Sequence, residues 1–448
     1  MSQMQDITSN RLTAEKYQEN FCDLHPPLDP RQVSLESNRC YFCYDAPCIE
    51  ACPTDINIPS FIRKISTGNL KGAAMDILDE NIMGGTCARV CPVESLCEGS
   101  CVRKTAEEKP VEIGRLQRHA TEALFQKGVQ PFERAKSTGK KVAVVGAGPA
   151  GLSCAHKLAR LGHSVTVYDA KAKAGGLNEY GLAPFKMVDD FAQKEVDFIL
   201  SVGGIEMKTN HALGKQITLT QLKQDFDAVF LGMGLTGVNH LGLEQEEQGG
   251  VINALHYIDE LRQAENLSKL AVGNKIVVIG GGSTAIDIAM ETKRLGAEWV
   301  TLVYRRDQKN MKATYKEQNY AQKDNVLIKT WSKPHRLIGN GKGLTGVEFE
   351  KTKLDSKGKL TGTGEFYTIE ADMVFKAIGQ KLVPMGLEEN LEIKAGKILV
   401  DDNFKTTLEN VYAGGDCVNG GDLTVTSVQH GKLAAKAIHQ QLTGKVGE

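Results

Sequence analysis

Residues 141–169 read KVAVVGAGPAGLSCAHKLARLGHSVTVYD. The run 141–145 has the apolar, β-branched character of a strand buried on both faces. Gly146, Gly148 and Gly151 follow it, then helical spacing over 152–161, then a second apolar run over 164–168 that ends at Asp169. Strand, glycine turn, helix and strand in that order make a complete βαβ unit. The first glycine permits the tight turn, the second lets backbone N–H groups approach a pyrophosphate, and the third lets helix and strand pack closely; the phosphate charge then sits at a helix N-terminus. Asp169, 23 residues beyond Gly146, is placed to accept hydrogen bonds from a ribose diol. Pro149 and Ala150 complete the turn, and Gly176 and Leu177, just beyond Asp169, are expected to line the same nucleotide.

A second unit begins about 130 residues later. It runs through 275–279, Gly280-Gly281-Gly282-Ser283-Thr284-Ala285, a helix to Leu295 and a strand over 299–304. Arg305 and Arg306 follow that strand in place of a carboxylate. Guanidinium groups there suit the 2′-phosphate of NADP, the alternative being a solvated strand end. Two such units, with a further buried run at 228–231, predict parallel sheets in two related nucleotide-binding modules rather than a short-period repeat.

The C-terminal stretch Val411-Tyr-Ala-Gly414-Gly415-Asp416 precedes an alternating Thr/Val run and a helix expected from Gln429. Gly-Asp in that setting resembles the second flavin signature of two-dinucleotide flavoprotein reductases, in which the Asp contacts the ribityl or pyrophosphate region. Leu231-Gly-Met-Gly234 and Ala377-Ile-Gly379 resemble that family's crossover strands. The resemblance implies FAD on the first glycine turn and Asp416, with an NAD(P) module inserted. Cys154 and Cys417 are isolated in sequence, so disulfide exchange is not the expected chemistry.

Composition changes across 131–140, where a Cys-rich, helix-biased region gives way to the strands. Helices are expected over 58–65, 73–78 and 111–125. The domains read as an α-helical segment, 1–135, an FAD module, 136–243 with 366–448, and an NAD(P) module, 244–365. The fold class is α/β, with an N-terminal α-helical, ferredoxin-like iron–sulfur domain before two Rossmann-like domains, the second inserted in the first.

Eight of the 11 cysteines lie between residues 40 and 101, as Cys40-x2-Cys43-x4-Cys48-x3-Cys52-Pro53 and Cys87-x3-Cys91-Pro92-x4-Cys97-x3-Cys101. Clustering of this kind favours metal over a secreted disulfide framework. Closely spaced thiolates with Pro after a Cys resemble ferredoxin runs, whose ligands interleave between two four-iron centres. Zinc is the competing reading, but His25 and His119 lie outside the runs and paired knuckles are missing.

With 54 Lys+Arg against 55 Asp+Glu, the net charge is -1, which lacks the basic footprint of non-specific nucleic-acid binding. Neither a signal peptide nor a membrane span is read, and a cytoplasmic location is expected.

From Arg39 through Cys101, and over the stretch 111–122, the sequence resembles the N-terminal part of dihydropyrimidine dehydrogenases, and the remainder resembles their FAD and NADPH modules. It is similar also to the small subunits of glutamate synthases. The resemblance implies one 4Fe-4S cluster on Cys40, Cys43, Cys48 and Cys101, and another on Cys52, Cys91, Cys97 and the amide oxygen of Gln117. Spacing alone names Cys87 instead of Gln117. Two departures stand out: Asp169 is shorter than the family's Glu, and Lys312 replaces a frequent Pro, which leaves NADH against NADPH open. Dihydropyrimidine reduction also needs an FMN-bearing barrel of about 250 residues; the chain ends shortly after its last flavin-module helix, so an FMN-containing catalytic subunit is the expected partner. The expected function is an electron-input subunit that oxidises NAD(P)H and serves a partner reducing uracil or thymine, or running in reverse. The alternatives are the glutamate synthase small subunit and an iron–sulfur assembly module with decayed nucleotide sites.

Overall fold

The computed structural model describes residues 12–339, 343–388 and 390–445; the start of the expected 1–135 segment lies outside the described residues. The chain divides into two compact units. One comprises His25–Glu179, Lys186–Gly237 and Lys381–Glu448; the other comprises Met1–Leu24, Tyr180–Phe185 and Val238–Gln380.

In the first unit a five-stranded parallel sheet has the order Val411–Ala413, Ala228–Leu231, Lys141–Val145, Ser164–Tyr168, Ile205–Lys208. The order reverses between Lys141–Val145 and Ala228–Leu231, so the carboxyl ends of those strands form the crevice where such sheets bind ligands. Alternate side chains of the central strand enter different cores. Val142 and Val144 join a cluster containing Leu152, Leu158 and Val428, while Ala143 and Val145 join Leu213, Leu222 and Val411.

The first cluster continues into the N-terminal helices. Ile58–Ser66, Leu70–Glu80 and Ile113–Phe125 contribute Phe61, Ile62, Ile77, Leu78 and Leu116 to it, all at most 1% exposed. The cysteine-rich segment therefore shares one hydrophobic core with the flavin-type sheet. Asn57 and Asn69 cap the first two of these helices through Ser60 N–H and Gly72 N–H.

The second unit carries a parallel sheet ordered Val251–Asn253, Met373–Ala377, Lys275–Gly280, Trp299–Val303, Leu327–Lys329. Ile276 and Val278 face the helices Ala254–Gln263 and Ser283–Arg294. Val277 and Ile279 pack with Leu337, Val347 and Phe349 from an antiparallel sheet, Ser332–Gly339, Leu344–Leu354 and Leu360–Glu370. Four stretches differ from the sequence expectation, and two of them, Tyr180–Phe185 and residues 238–243, fall in this unit rather than with the flavin module. Residues 366–380 belong here rather than with the flavin module, because Met373–Ala377 pairs in parallel with both neighbours; and the helix Ala14–Asn20 belongs here because Tyr17 is buried in this core. Among the described residues, no helix is long and apolar enough to cross a membrane.

Candidate functional site

At the first glycine turn, Gly146 has φ +99° and an added Cβ would collide with the Gly232 carbonyl at the end of the adjacent strand; a Cβ on Gly151 would collide with the Gly146 carbonyl. Pro149 opens the helix Pro149–Arg160 behind Gly148, as suits the first helical position. Gly176 has φ +55°, and a Cβ there would stand 2.7 Å from Gly148 Cα; the next residue, Leu177, is exposed. Gly415 lies against the same helix start, where a Cβ would stand 2.8 Å from Ala150 Cβ. The two expected flavin signatures thus meet at one helix N-terminus.

Asp169 and Asp416 are both in this crevice. Asp169 accepts Ala147 N–H at 2.7 Å and Lys171 N–H at 2.8 Å, so its short side chain braces the glycine turn itself. Asp416 accepts Asp422 N–H at 3.2 Å and the Ser427 hydroxyl at 3.4 Å. Burial pushes both carboxyls above the usual carboxylate range, against backbone hydrogen bonds that lower them. Desolvated carboxylates of this kind gain from further hydroxyl donors, such as those of a flavin nucleotide. Sequence reading missed His430, whose Nδ1 accepts Gly415 N–H at 3.1 Å. It also placed the last helix too late: Thr424–Thr443 takes in the Thr/Val run.

The second turn repeats the design. Gly280, with φ +153°, lies against the Ala377 carbonyl, and Gly281 against the Tyr304 ring; a Cβ on Gly282 would meet nothing within 4 Å. The Ser283 hydroxyl donates to Glu317 Oε2 at 3.2 Å; Thr284 is half-buried and Ala285 buried. Arg305 and Arg306 are exposed. Gly379 does not join the Gly415–Asp416 group: it lies in this second unit, where its carbonyl accepts Asn239 N–H at 3.1 Å.

The structure sorts the thiols into two sets. Cys40, Cys43, Cys48 and Cys101 line one pocket with Tyr41, Pro47 and Arg103. Burial, reinforced by the charges of Cys101, Cys40 and Cys43, pushes the Cys48 thiol up to about 12. Cys40 is raised by burial too, against the Phe42 N–H that it accepts at 3.4 Å. Phe42 has φ +52°, a left-handed conformation that L-residues adopt reluctantly.

Cys52, Cys91 and Cys97 form the other set, with Cys87. The Cys91 thiol is pushed well up by its hydrogen bond with Cys87, by burial, and by the charges of Cys87, Cys97 and Cys52. Burial does the same to Cys97, helped by the charges of Glu98, Cys52 and Cys48, and thiols of both sets, Cys40, Cys48 and Cys101 with Cys52 and Cys97, meet one hydrophobic core. Buried thiols that hold one another protonated ionise together only when a cation compensates them, and an all-sulfur donor set fits iron–sulfur ligation. Gln117 is buried beside the helix Gly84–Val90, which carries Cys87 and is capped at its C-terminal end by Cys91, and its Nε2 donates to Gly84 O at 2.7 Å. Both alternatives for the last ligand therefore reach the same helix.

Two glycine turns on parallel sheets, one meeting a Gly-Asp loop, with both thiol sets in the flavin-side unit, define an NAD(P)H-dependent flavin oxidoreductase carrying an iron–sulfur module. Residues 140–431 match the pyridine nucleotide-disulphide oxidoreductase family, and residues 17–129 match the dihydropyrimidine dehydrogenase domain II, 4Fe-4S cluster family. The chain belongs to the pyridine nucleotide-disulphide oxidoreductase family, in the branch with this N-terminal 4Fe-4S domain. It is 34% identical over 445 residues to the glutamate synthase [NADPH] small chain of Escherichia coli K12, covering 93% of each chain. It is 35% identical over 428 residues to the NAD-dependent dihydropyrimidine dehydrogenase subunit PreT of the same organism, covering 95% of this chain and 98% of the relative. The fold resembles that of FprA from Mycobacterium tuberculosis in complex with NADPH (TM-score 0.59, 17% identity, 68% of this chain and 85% of that one). It also resembles that of thioredoxin reductase from T. acidophilum (TM-score 0.55, 22% identity, 67% and 99%).

Proposed function

We propose that this chain is the electron-input subunit of a two-protein dihydropyrimidine dehydrogenase, taking reducing equivalents from NAD(P)H and delivering them to an FMN-containing catalytic partner that acts on uracil or thymine. When bound, FAD supplies conversion of a hydride into single electrons, and two 4Fe-4S clusters supply one-electron conduction. The chain's own residues bind and orient. Gly146, Gly148, Pro149, Ala150, Gly151, Gly176 and Leu177 form the cradle for the FAD pyrophosphate, with Asp169 and Asp416 accepting from its hydroxyls and Gly415 giving Asp416 its approach. Gly280, Gly282, Ser283, Thr284 and Ala285 receive the pyrophosphate of NAD(P)H, and Arg305 and Arg306 its adenosine end; Gly379 shapes the return from that unit.

Cys40, Cys43, Cys48 and Cys101 would hold one cluster, and Cys52, Cys91, Cys97 and Gln117 the other. Anchoring of the Gln117 amide nitrogen on Gly84 supports its oxygen as the ligand. The observation that carries the reading is that Cys52 lies in, and Cys40, Cys48, Cys97 and Cys101 pack against, the one hydrophobic core that also takes Val142 and Val144 of the flavin-type sheet. Tyr41 and Tyr44, 50% and 101% exposed beside the Cys40 set, mark that set as the outer one and the exit toward a partner. Co-purification from the native source tests the assignment: an FMN protein and uracil- or thymine-dependent turnover support it.

A second reading, the small subunit of a glutamate synthase, is favoured by the exposed Arg305–Arg306 pair, which suits NADPH, the donor in the name of that relative. Recovery of a glutamine-dependent partner selects it.

A further inference from the structure

The helix Thr424–Thr443 touches both the flavin-type loop and the cysteine segment. On its first turns the Ser427 hydroxyl reaches Asp416 Oδ1 at 3.4 Å, and His430 Nδ1 accepts Gly415 N–H at 3.1 Å. Gly431 lets the helix close onto the Ala150 carbonyl, which an added Cβ would strike. One residue further on, Lys432 is buried at 8% exposure and runs to the other side. Its Nζ donates to Thr54 O at 3.2 Å and to Glu80 Oε2 at 2.7 Å. Thr54 is fully buried, and its hydroxyl lies 3.4 Å from Cys52 Sγ. Gln429 Nε2 adds a contact to Asp55 Oδ2 at 3.4 Å, where the loop turns through φ +62°.

A buried ammonium needs a reason and compensation. Glu80, 43% exposed on its side chain, is a solvent-screened partner that compensates it incompletely. The backbone carbonyl of the Cys52 loop receives the rest.

We propose that Lys432 is a positioning residue for the cluster on Cys52: it pins residues 52–55 to the helix that also holds the Gly415–Asp416 loop, and its charge raises the reduction potential of that cluster. The inference rests on the cluster assignment above and names the side that takes electrons from the flavin. Charge and hydrogen bonding near the sulfurs are among the factors that set such potentials. A cation fixed by packing acts continuously, without waiting for a partner.

The test uses the full-length holoprotein, with iron and FAD assayed first. Potentials come from an anaerobic redox titration followed by electron paramagnetic resonance, and stopped-flow mixing with NADH or NADPH follows flavin bleaching and cluster reduction separately. Lys432→Gln is expected to keep FAD and bleach at the wild-type rate, while the potential of one cluster falls and its reduction slows on the order of tenfold. Lys432→Arg restores both. Lys432→Met, which keeps the buried stem and removes the charge, is expected to lower the same potential as Lys432→Gln; a purely structural role leaves the potential where it was in both. Should Lys432→Gln fail to fold, Lys432→Met decides by whether the potential of one cluster falls. Intact clusters with unmoved potentials overturn the role of Lys432 alone, whereas wild-type protein without iron overturns the cluster assignment beneath it.

Discussion

Glu195 accepts the backbone N–H of Thr86 at 3.0 Å on one carboxylate oxygen and the Thr86 hydroxyl on the other. The acid comes from the helix Phe191–Leu200, and Thr86 from the helix that carries Cys87 and ends at Cys91. Burial pushes the Glu195 carboxyl up to about 7, although the Thr86 hydrogen bonds and Arg89 favour its charged form.

The sign follows from linkage. A carboxyl whose folded value lies above its unfolded value of 4.5 binds more protons folded than unfolded, so its contribution is fully present below about pH 4.5 and is lost as pH rises through about 7. The range corresponds to ~3 kcal/mol at most. Glu195→Gln is expected to flatten that slope, its stability relative to wild type improving from pH 5 to pH 7.5 in denaturant unfolding. A mutant-to-wild-type difference that is constant with pH contradicts a raised value.

The second glycine turn separates folding from binding. A Cβ on Gly282 meets nothing within 4 Å, whereas one on Gly280 strikes the Ala377 carbonyl at φ +153°. Gly282→Ala is therefore expected to fold and retain FAD while raising the KM for NAD(P)H by roughly tenfold or more, because the methyl group occupies the approach of the pyrophosphate. Gly280→Ala is expected to lower the melting temperature of the unit instead. Unchanged KM in Gly282→Ala removes this turn from the nucleotide site.

Arg305 and Arg306 decide donor preference. Replacing both with Ala is expected to raise the KM for NADPH on the order of tenfold to a hundredfold and to leave NADH within about twofold, since only NADPH carries the phosphate that guanidinium groups grip. Equal effects on both nucleotides, or none, make the pair a solvated strand end.

The last cluster ligand is tested by iron content. Gln117→Ala is expected to drop bound iron from about eight toward about four per chain, and Cys87→Ala to leave about eight. The reverse pattern moves the ligand to Cys87, whose thiol already contacts that of Cys91.

Much of the fold was legible because buried parallel strands are continuous apolar runs: Lys141–Val145, Ser164–Tyr168 and Ala228–Leu231 have the bounds their composition suggests. The antiparallel sheet over 332–370 was not, since Leu360–Glu370 exposes much of its length and mixes charges with apolar residues. The run Thr424-Val-Thr has strand-like composition yet opens a helix, because packing against Pro149–Arg160 outweighs local propensity. Glycine and cysteine spacing carried most of the candidate site. Its braces were invisible: Glu195, His430 and Lys432 act on Thr86, Gly415 and Thr54, and two of these three partners are more than 100 positions away, beyond any local pattern.

The most direct measurement is anaerobic titration of gently isolated protein with NADH and NADPH, with metal analysis and paramagnetic resonance on the same sample. FAD, about eight irons, loss of flavin absorbance on adding nucleotide, and signals from two reduced clusters are the expected result. Zinc in place of iron, or flavin bleaching with no cluster signal, contradicts it.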